Sequence, residues 1–300
     1  MGVVVSMLLI RGSFRVNGGA KPDGDTVPFT PDDVADWRLV PGCTGVLPKA
    51  DGRVSVRLEG MDALETHYTN GSYGPERRQP IEYARKAAHA LLTWLHFTSI
   101  EWHDDGTVTT KPDRVPGYIL TSGTDMFGRC VALVGRGNPP AYSGYQIDVD
   151  KERVARTANH HLLRSGLAYP TFYEGLPVDL RDALKAAALE AKENTPPKGL
   201  WAKDVTVEGA EIDGIRSITD DDTGVVILPK LFRRLKDYFD FDPENYSLAG
   251  FPAFLAGAED KFRILPGDEV LTGFHRLVEI TDDQILRMTH PSEDILFVNG

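Results

Sequence analysis

In Val54-Ser55-Val56-Arg57-Leu58, apolar and polar side chains alternate with a period of two. Only a strand alternates in that way, so Val54, Val56 and Leu58 share one face and Arg57 takes the other. The guanidinium can then point out of a barrel whose interior its neighbours fill. The first ~60 residues repeat this habit, strand-like runs separated by turn signals such as Asn17-Gly18-Gly19 and Pro22-Asp23-Gly24. The apolar run from Val3 to Ile10 reads as a further strand: no basic segment precedes it, and Arg11 interrupts it before any cleavage signal. Met1-Gly2 with Ser6 fits an acylation pattern, with no second anchor beside it. Residues 30–50 form a Pro/Gly-containing insertion around Trp37 and Cys43.

Helical spacing follows. Ile81, Ala84, Ala88, Leu91, Leu92 and Leu95 predict a helix from about Pro80 to Phe97. Strands are expected near Ile100–His103, Val115–Thr121 and Arg129–Val134, and a second helix near Asp150–Ser165. A third covers about Asp179–Asn194 and is stopped by Pro196-Pro197. Strands first, with helices interspersed, suit an α+β chain built on a five-stranded OB-fold barrel carrying three helices. The composition turns acidic after Gly199-Leu200-Trp201, which places a boundary between a first domain, 1–204, and a small α+β domain, 205–300, either separate from the first or a cap on it. In that segment a helix is predicted over Pro229–Phe239, with Leu231, Phe232, Leu235 and Phe239 inward. Its Lys230, Arg233, Arg234 and Lys236 read as a solvated basic face, with contact to a partner or to nucleic acid as the lesser alternative. Asp220-Asp221-Asp222 lacks the full ladder of a calcium loop and reads as a solvated turn.

The net charge of −11 argues against tight, non-specific adhesion to nucleic acid. The charge is unevenly spread: residues 205–300 hold 9 basic and 19 acidic side chains, a net −10, which leaves residues 1–204 at −1. A locally positive cleft in the first part is compatible with that balance. Cys43 and Cys130 are the only cysteines, too few for a disulfide framework in a chain of 300 residues, and they suit a reducing, cytoplasmic setting. No stretch is long enough to cross a bilayer. His160-His161, adjacent on a helix, point about 100° apart and make a poor chelate.

Five residues carry chemistry: Asp25 in D-G-D-T, then Arg57, Asp62 and Glu65 in R-L-E-G-M-D-A-L-E, then Arg129 in D-M-F-G-R. Two carboxylates can grip a hard cation, a third can take a proton, and two guanidinium forks can hold a phosphate that gains negative charge. With Tyr73-Gly74-Pro75-Glu76, the N-H-H-L-L-R-S-G-L-A run at Asn159–Ala168 and the closing E-A-K-E-N…G-L-W, these motifs fall in one order over roughly residues 8–203. In that order they resemble the staphylococcal nuclease family.

The resemblance implies a Ca²⁺-dependent nuclease. Asp25 and Asp62, with the main-chain carbonyl of Ala63, would hold the ion; Glu65 would be the general base; Arg57 and Arg129 would clamp the phosphate. Water would be the nucleophile, so both DNA and RNA are expected substrates, leaving 3′-phosphate products. Phe127 stands where the family has Tyr, which removes a hydroxyl, and Phe172 and Tyr173 are candidates to stack on a base. The rival expectation is a non-catalytic nucleic-acid-binding OB-fold module. Homo-oligomerisation, or a protein partner taken through residues 205–300, is left open.

Overall fold

The computed structural model describes residues 5–42, 45–71, 73–242, 244, 246–282 and 284–298. Cys43, the Met1-Gly2 start and the Val3-Val4 end of the expected first strand lie outside the described residues. The fold is mixed α+β, with one large sheet. Its first strand, Val5–Phe14, pairs antiparallel with Thr26–Pro31, and that strand pairs with Val54–Leu58 at Thr26↔Arg57. Val54–Leu58 runs parallel to Cys130–Arg136 at Val131↔Arg57, and Cys130–Arg136 is antiparallel to Val115–Thr124. Val115–Thr124 then returns to Val5–Phe14, in register from Leu8↔Thr121 to Phe14↔Val115. Gln146–Val149 adds outside this cycle, on Val5–Phe14. Val56 and Leu58 are fully buried and Arg57 is not, as the period of two requires.

The later segment does not stand apart. Its helix, Pro229–Phe241, buries Leu231, Phe232, Leu235 and Phe239 in a core that also holds Leu64, Ala84, Tyr169, Leu200 and Trp201. Two short ladders carry the chain between the halves: Tyr169↔Asp62 faces the sheet side, and Phe172↔Leu296 and Tyr173↔Phe297 face the C-terminal strand Ile295–Val298. Buried Tyr169 donates its hydroxyl to Asp204 at 2.7 Å, so its phenol is satisfied within the packed junction. Among the described residues, no helix is long and apolar enough to cross a membrane.

The predicted helices form at Ile81–Trp94 and Val178–Lys192, but the one expected at 150–165 is two. Lys151–Val154 is capped by Asp150, which accepts from the Arg153 amide at 2.8 Å. Ala158–Arg164 is capped afresh by Thr157, whose hydroxyl accepts from His160 at 3.3 Å. A threonine that can cap competes with helix continuation, which periodicity alone does not register. The second piece exists to deliver Asn159. Fully buried, its Oδ1 accepts from Val134 N at 2.9 Å, while Nδ2 donates to Glu59 O at 2.8 Å and Ala132 O at 3.1 Å. One amide thereby ties the helix to the strand that follows Arg129 and to the chain just past Arg57. Asn159→Ala takes the side-chain partner from the Val134 amide and the Glu59 carbonyl, while Ala132 O keeps the Glu59 amide at 2.9 Å, and it is expected to cost roughly 2–4 kcal/mol of stability. Urea denaturation with an unchanged slope checks it.

Candidate functional site

Asp25 is set beside Arg57 by the backbone: Leu58 N donates to Asp25 O at 2.8 Å, and Thr26 is the register partner of Arg57. The preceding turn needs Gly24, because a Cβ there would lie 2.5 Å from that of Ala87 and 2.7 Å from that of Ala63. Met61-Asp62 enters from the far side on its ladder with Tyr169-Pro170. The two carboxyls face one another within hydrogen-bonding reach, and Asp25 Oδ2 also accepts from Ala63 N at 3.4 Å. Glu65 follows, its amide held by Gln79 Oε1 at 3.2 Å. Buried Gln79 also donates to Ile227 O at 2.8 Å, fastening the Glu65 loop to the chain just before the C-terminal helix. Asp23 completes a group of four carboxyls and accepts from Thr66 N at 3.2 Å.

Four neighbouring carboxyls, Asp62 fully buried and the others half-buried, cannot all ionise freely. Burial, then Asp25, raises Asp23 to about 7; burial, then Asp62, raises Asp25 to about 6. Burial, against the pull of Arg233, raises Glu65 to about 8. Asp62 goes the other way. Burial opposes its charge, but Arg233 and then Arg57 outweigh it and hold its carboxyl below the usual range.

Arg233 therefore belongs to the site, where the sequence reading placed a solvated face. Its fork spans two carboxylates: Nη2 lies 2.7 Å from Asp62 Oδ2, Nη1 lies 3.3 Å from Asp62 Oδ1, and Nη1 also bonds Glu65 Oε1. Asp62 is fully buried, and Arg57 Nη2 approaches its Oδ1 at 3.8 Å. Lys236 is likewise fully buried, on Asp240 at 2.7 Å. Lys230 and Arg234 share Asp260, at 3.0 Å for Lys230 and through two 2.8 Å bonds for Arg234. Asp221, from the acidic turn, is not free either: it accepts from Arg78 at 2.7 Å and from Ile81 N at 2.9 Å, at the start of the first long helix.

The oxygen donors of Asp25, Asp62 and Glu65 suit Ca²⁺ chemically. Their arrangement does not, because the guanidinium of Arg233 lies along the edges that an ion would share. Among the described residues, no group of three or more His, Cys, Asp or Glu side chains is disposed to hold a metal ion.

Arg57 also borders an open cleft of 590 Å³, with Glu59, Asp125, Phe127, Arg129, Tyr173, Lys230 and Arg234 around it. The D-M-F-G-R loop shapes its own arginine: Asp125 Oδ1 accepts from Phe127 N at 3.0 Å and Arg129 N at 2.9 Å, and Oδ2 takes Arg129 Nε at 2.7 Å. Gly128 supplies the positive φ of 75° that closes this turn. Phe127 is 74 % exposed at the rim, with the Arg129 guanidinium 5.5 Å from its ring centre. Arg57 sits 5.4 Å from the ring centre of Tyr173, and Tyr173 is 5.5 Å from that of Phe297. Burial alone would raise the Tyr173 phenol; Lys230 and Arg57 outweigh it, and the phenol lies below its ordinary value.

Phe172 corrects the expectation of two stacking rings. It is fully buried in the core, because neighbours on a strand point to opposite faces and Tyr173 takes the cleft side. Sequence reasoning also passed over Arg233, Lys230, Gln79 and Glu59. The one usable signal was the spacing of Lys230, Arg233 and Arg234, three and four apart on a single helix face beside an apolar one. No protein-family model matches this chain, and no curated protein matches it.

Burial raises Glu59 to about 7, with Arg57 and the Gly60 amide opposing. The folded chain therefore holds this proton at pH values where the unfolded chain has lost it, so folding is penalised progressively as pH rises from about 4.5 to about 7. Glu59→Gln removes that penalty at constant size. It is expected to add about 1–3 kcal/mol of stability at pH 8 and much less at pH 5. Paired urea denaturation curves at the two pH values test this.

Proposed function

We propose that this protein is a phosphodiester hydrolase of the staphylococcal-nuclease type, acting on DNA and RNA strands, and that its cycle of five paired strands is an OB-type barrel. The observation that carries the reading is the meeting of Arg57 and Arg129 in one cleft beside the Asp25–Asp62–Glu65 group. Arg57 lies on its strand and Arg129 in the turn that enters the neighbouring strand Cys130–Arg136, and two planar forks on one phosphate hold its non-bridging oxygens more strongly as charge builds there. A water deprotonated by Glu65 would add to phosphorus, the bond to O5′ would break, and that oxygen would take up a proton. The products would be a 3′-phosphate and a 5′-hydroxyl. No 2′-hydroxyl enters this sequence, which is why both nucleic acids are expected substrates. Tyr173 and the exposed Phe127 offer rings to bases flanking the phosphate. Ca²⁺ belongs to the proposal as the ion that Asp25, Asp62 and the Ala63 carbonyl would take in a form where Arg233 has left Asp62.

One observation favours a second reading, a non-catalytic strand-binding module: Glu65 and Asp62 are both engaged by Arg233. Plasmid nicking and cleavage of a single-stranded RNA in millimolar Ca²⁺ or chelator separate the two, using the full chain and its Arg233→Gln variant. Cleavage should require Ca²⁺ and fall by about 10²-fold or more in Glu65→Gln, Arg57→Ala and Arg129→Ala. Glu65→Gln should still bind strands, whereas Arg57→Ala should lose binding as well. Strands bound but uncut by every protein would sink the hydrolase and leave the binding module.

A further inference from the structure

Asp62 is the residue around which the acidic group is organised, and each of its oxygens is already taken. Arg233 Nη2 holds Oδ2 at 2.7 Å; Arg233 Nη1 at 3.3 Å and Arg57 Nη2 at 3.8 Å hold Oδ1. The same Nη1 bonds Glu65. A Ca²⁺ ion needs carboxylate oxygens within about 2.3–2.6 Å and six to eight ligands around it. It cannot reach Asp62 with a guanidinium lying across that carboxylate, and the fixed charge of Arg233 would repel it at contact distance.

The position of Arg233 is not that of a loose surface arginine. The helix that carries it is held below by Leu231, Phe232, Leu235 and Phe239, all essentially buried. Lys230, one turn before, and Arg234, the next residue, are anchored on Asp260, and Asp237, one turn after, accepts from Tyr68 at 3.1 Å. Gln79 joins the Glu65 loop to Ile227, two residues before the helix begins. The whole segment is built to bring one cation to Asp62.

We propose that Arg233 is the resident cation of this site, and that a divalent ion and the docked Pro229–Phe241 helix exclude one another there. This rests on Asp25 and Asp62 being the ion's seat in the proposed function, and not on hydrolysis. Exclusion is reciprocal by linkage: whatever factor the docked helix subtracts from ion affinity, the ion subtracts from helix docking.

Thermal unfolding of the full-length protein over a Ca²⁺ titration tests this without any activity readout. The wild type should show no saturable rise in Tm, because the ion has no seat in the folded form. Arg233→Gln should show one, and Asp62→Asn added to Arg233→Gln should abolish it. Should Arg233→Gln fail to fold, Arg233→Lys keeps the charge but loses the fork, and a saturable rise in Tm with Ca²⁺ is expected where the wild type shows none. Hydrogen exchange of the wild type supplies an independent arm: millimolar Ca²⁺ should speed exchange of residues 229–241. Equal Ca²⁺ affinity in the wild type and the Arg233 variants, no ion response in any of them, or protection of that helix by Ca²⁺ each overturns the proposal. Absent nuclease activity with these ion responses intact would overturn the proposed function alone.

Discussion

A carboxylate with no exposure to water must have a counter-charge, and in this protein the burial of Asp62 sets that demand. Leaving such a charge unpaired costs several kcal/mol, more than most single contacts supply. Arg57 approaches from the same half of the chain but only to 3.8 Å, and its own environment is shared with Tyr173. Arg233 closes the account geometrically, since a planar fork can serve Asp62 and Glu65 together. The direction in which the Pro229–Phe241 helix lies over the Asp62–Glu65 stretch agrees with that pairing, and so do the contacts that steady it on Asp260 and Tyr68.

The arrangement divides the site in two. On one side lie the carboxyls Asp23, Asp25, Asp62 and Glu65, closed over by Arg233. On the other lies the cleft, with Arg129, Glu59, Phe127 and Lys230 at its walls. Arg57 and Tyr173 stand on the boundary: the guanidinium touches both the Asp62 carboxylate and the Tyr173 ring. Any chemistry that needs both compartments at once must pass through the boundary that Arg57 marks, and it must move Arg233. The later part of the chain is thus a wall of the cleft and a partner in the charge balance. Its apolar residues share a core with Leu64, Ala84 and Trp201 from the earlier part.

Much of this was legible residue by residue. The alternation around Arg57 reported its face, because strand geometry fixes side-chain parity whatever the neighbours are. The apolar spacing from Ile81 onward reported a helix for the same local reason, as did Leu231, Phe232, Leu235 and Phe239. Asp25 and Asp62 were expected to meet and do. Local rules failed where a side chain had two acceptable local roles. Thr157 could sit in a helix or cap one, and it caps. Phe172 and Tyr173 could each have faced the cleft, and the pairing with Leu296 and Phe297 allows only Tyr173 to do so.

The basic run on the C-terminal helix shows the limit most plainly. Lys230, Arg233, Arg234 and Lys236 have the composition of a solvated face, yet Lys236 has no exposure and Arg233 meets Asp62 from 171 positions along the chain. The amino-acid sequence determined which residues are apolar, where the backbone alternates or coils, and which side chains can carry charge, since those depend on covalent structure and near neighbours. Tertiary structure decided which charges meet. Coulomb pairing in a buried site depends on distance through space, and no local period encodes that.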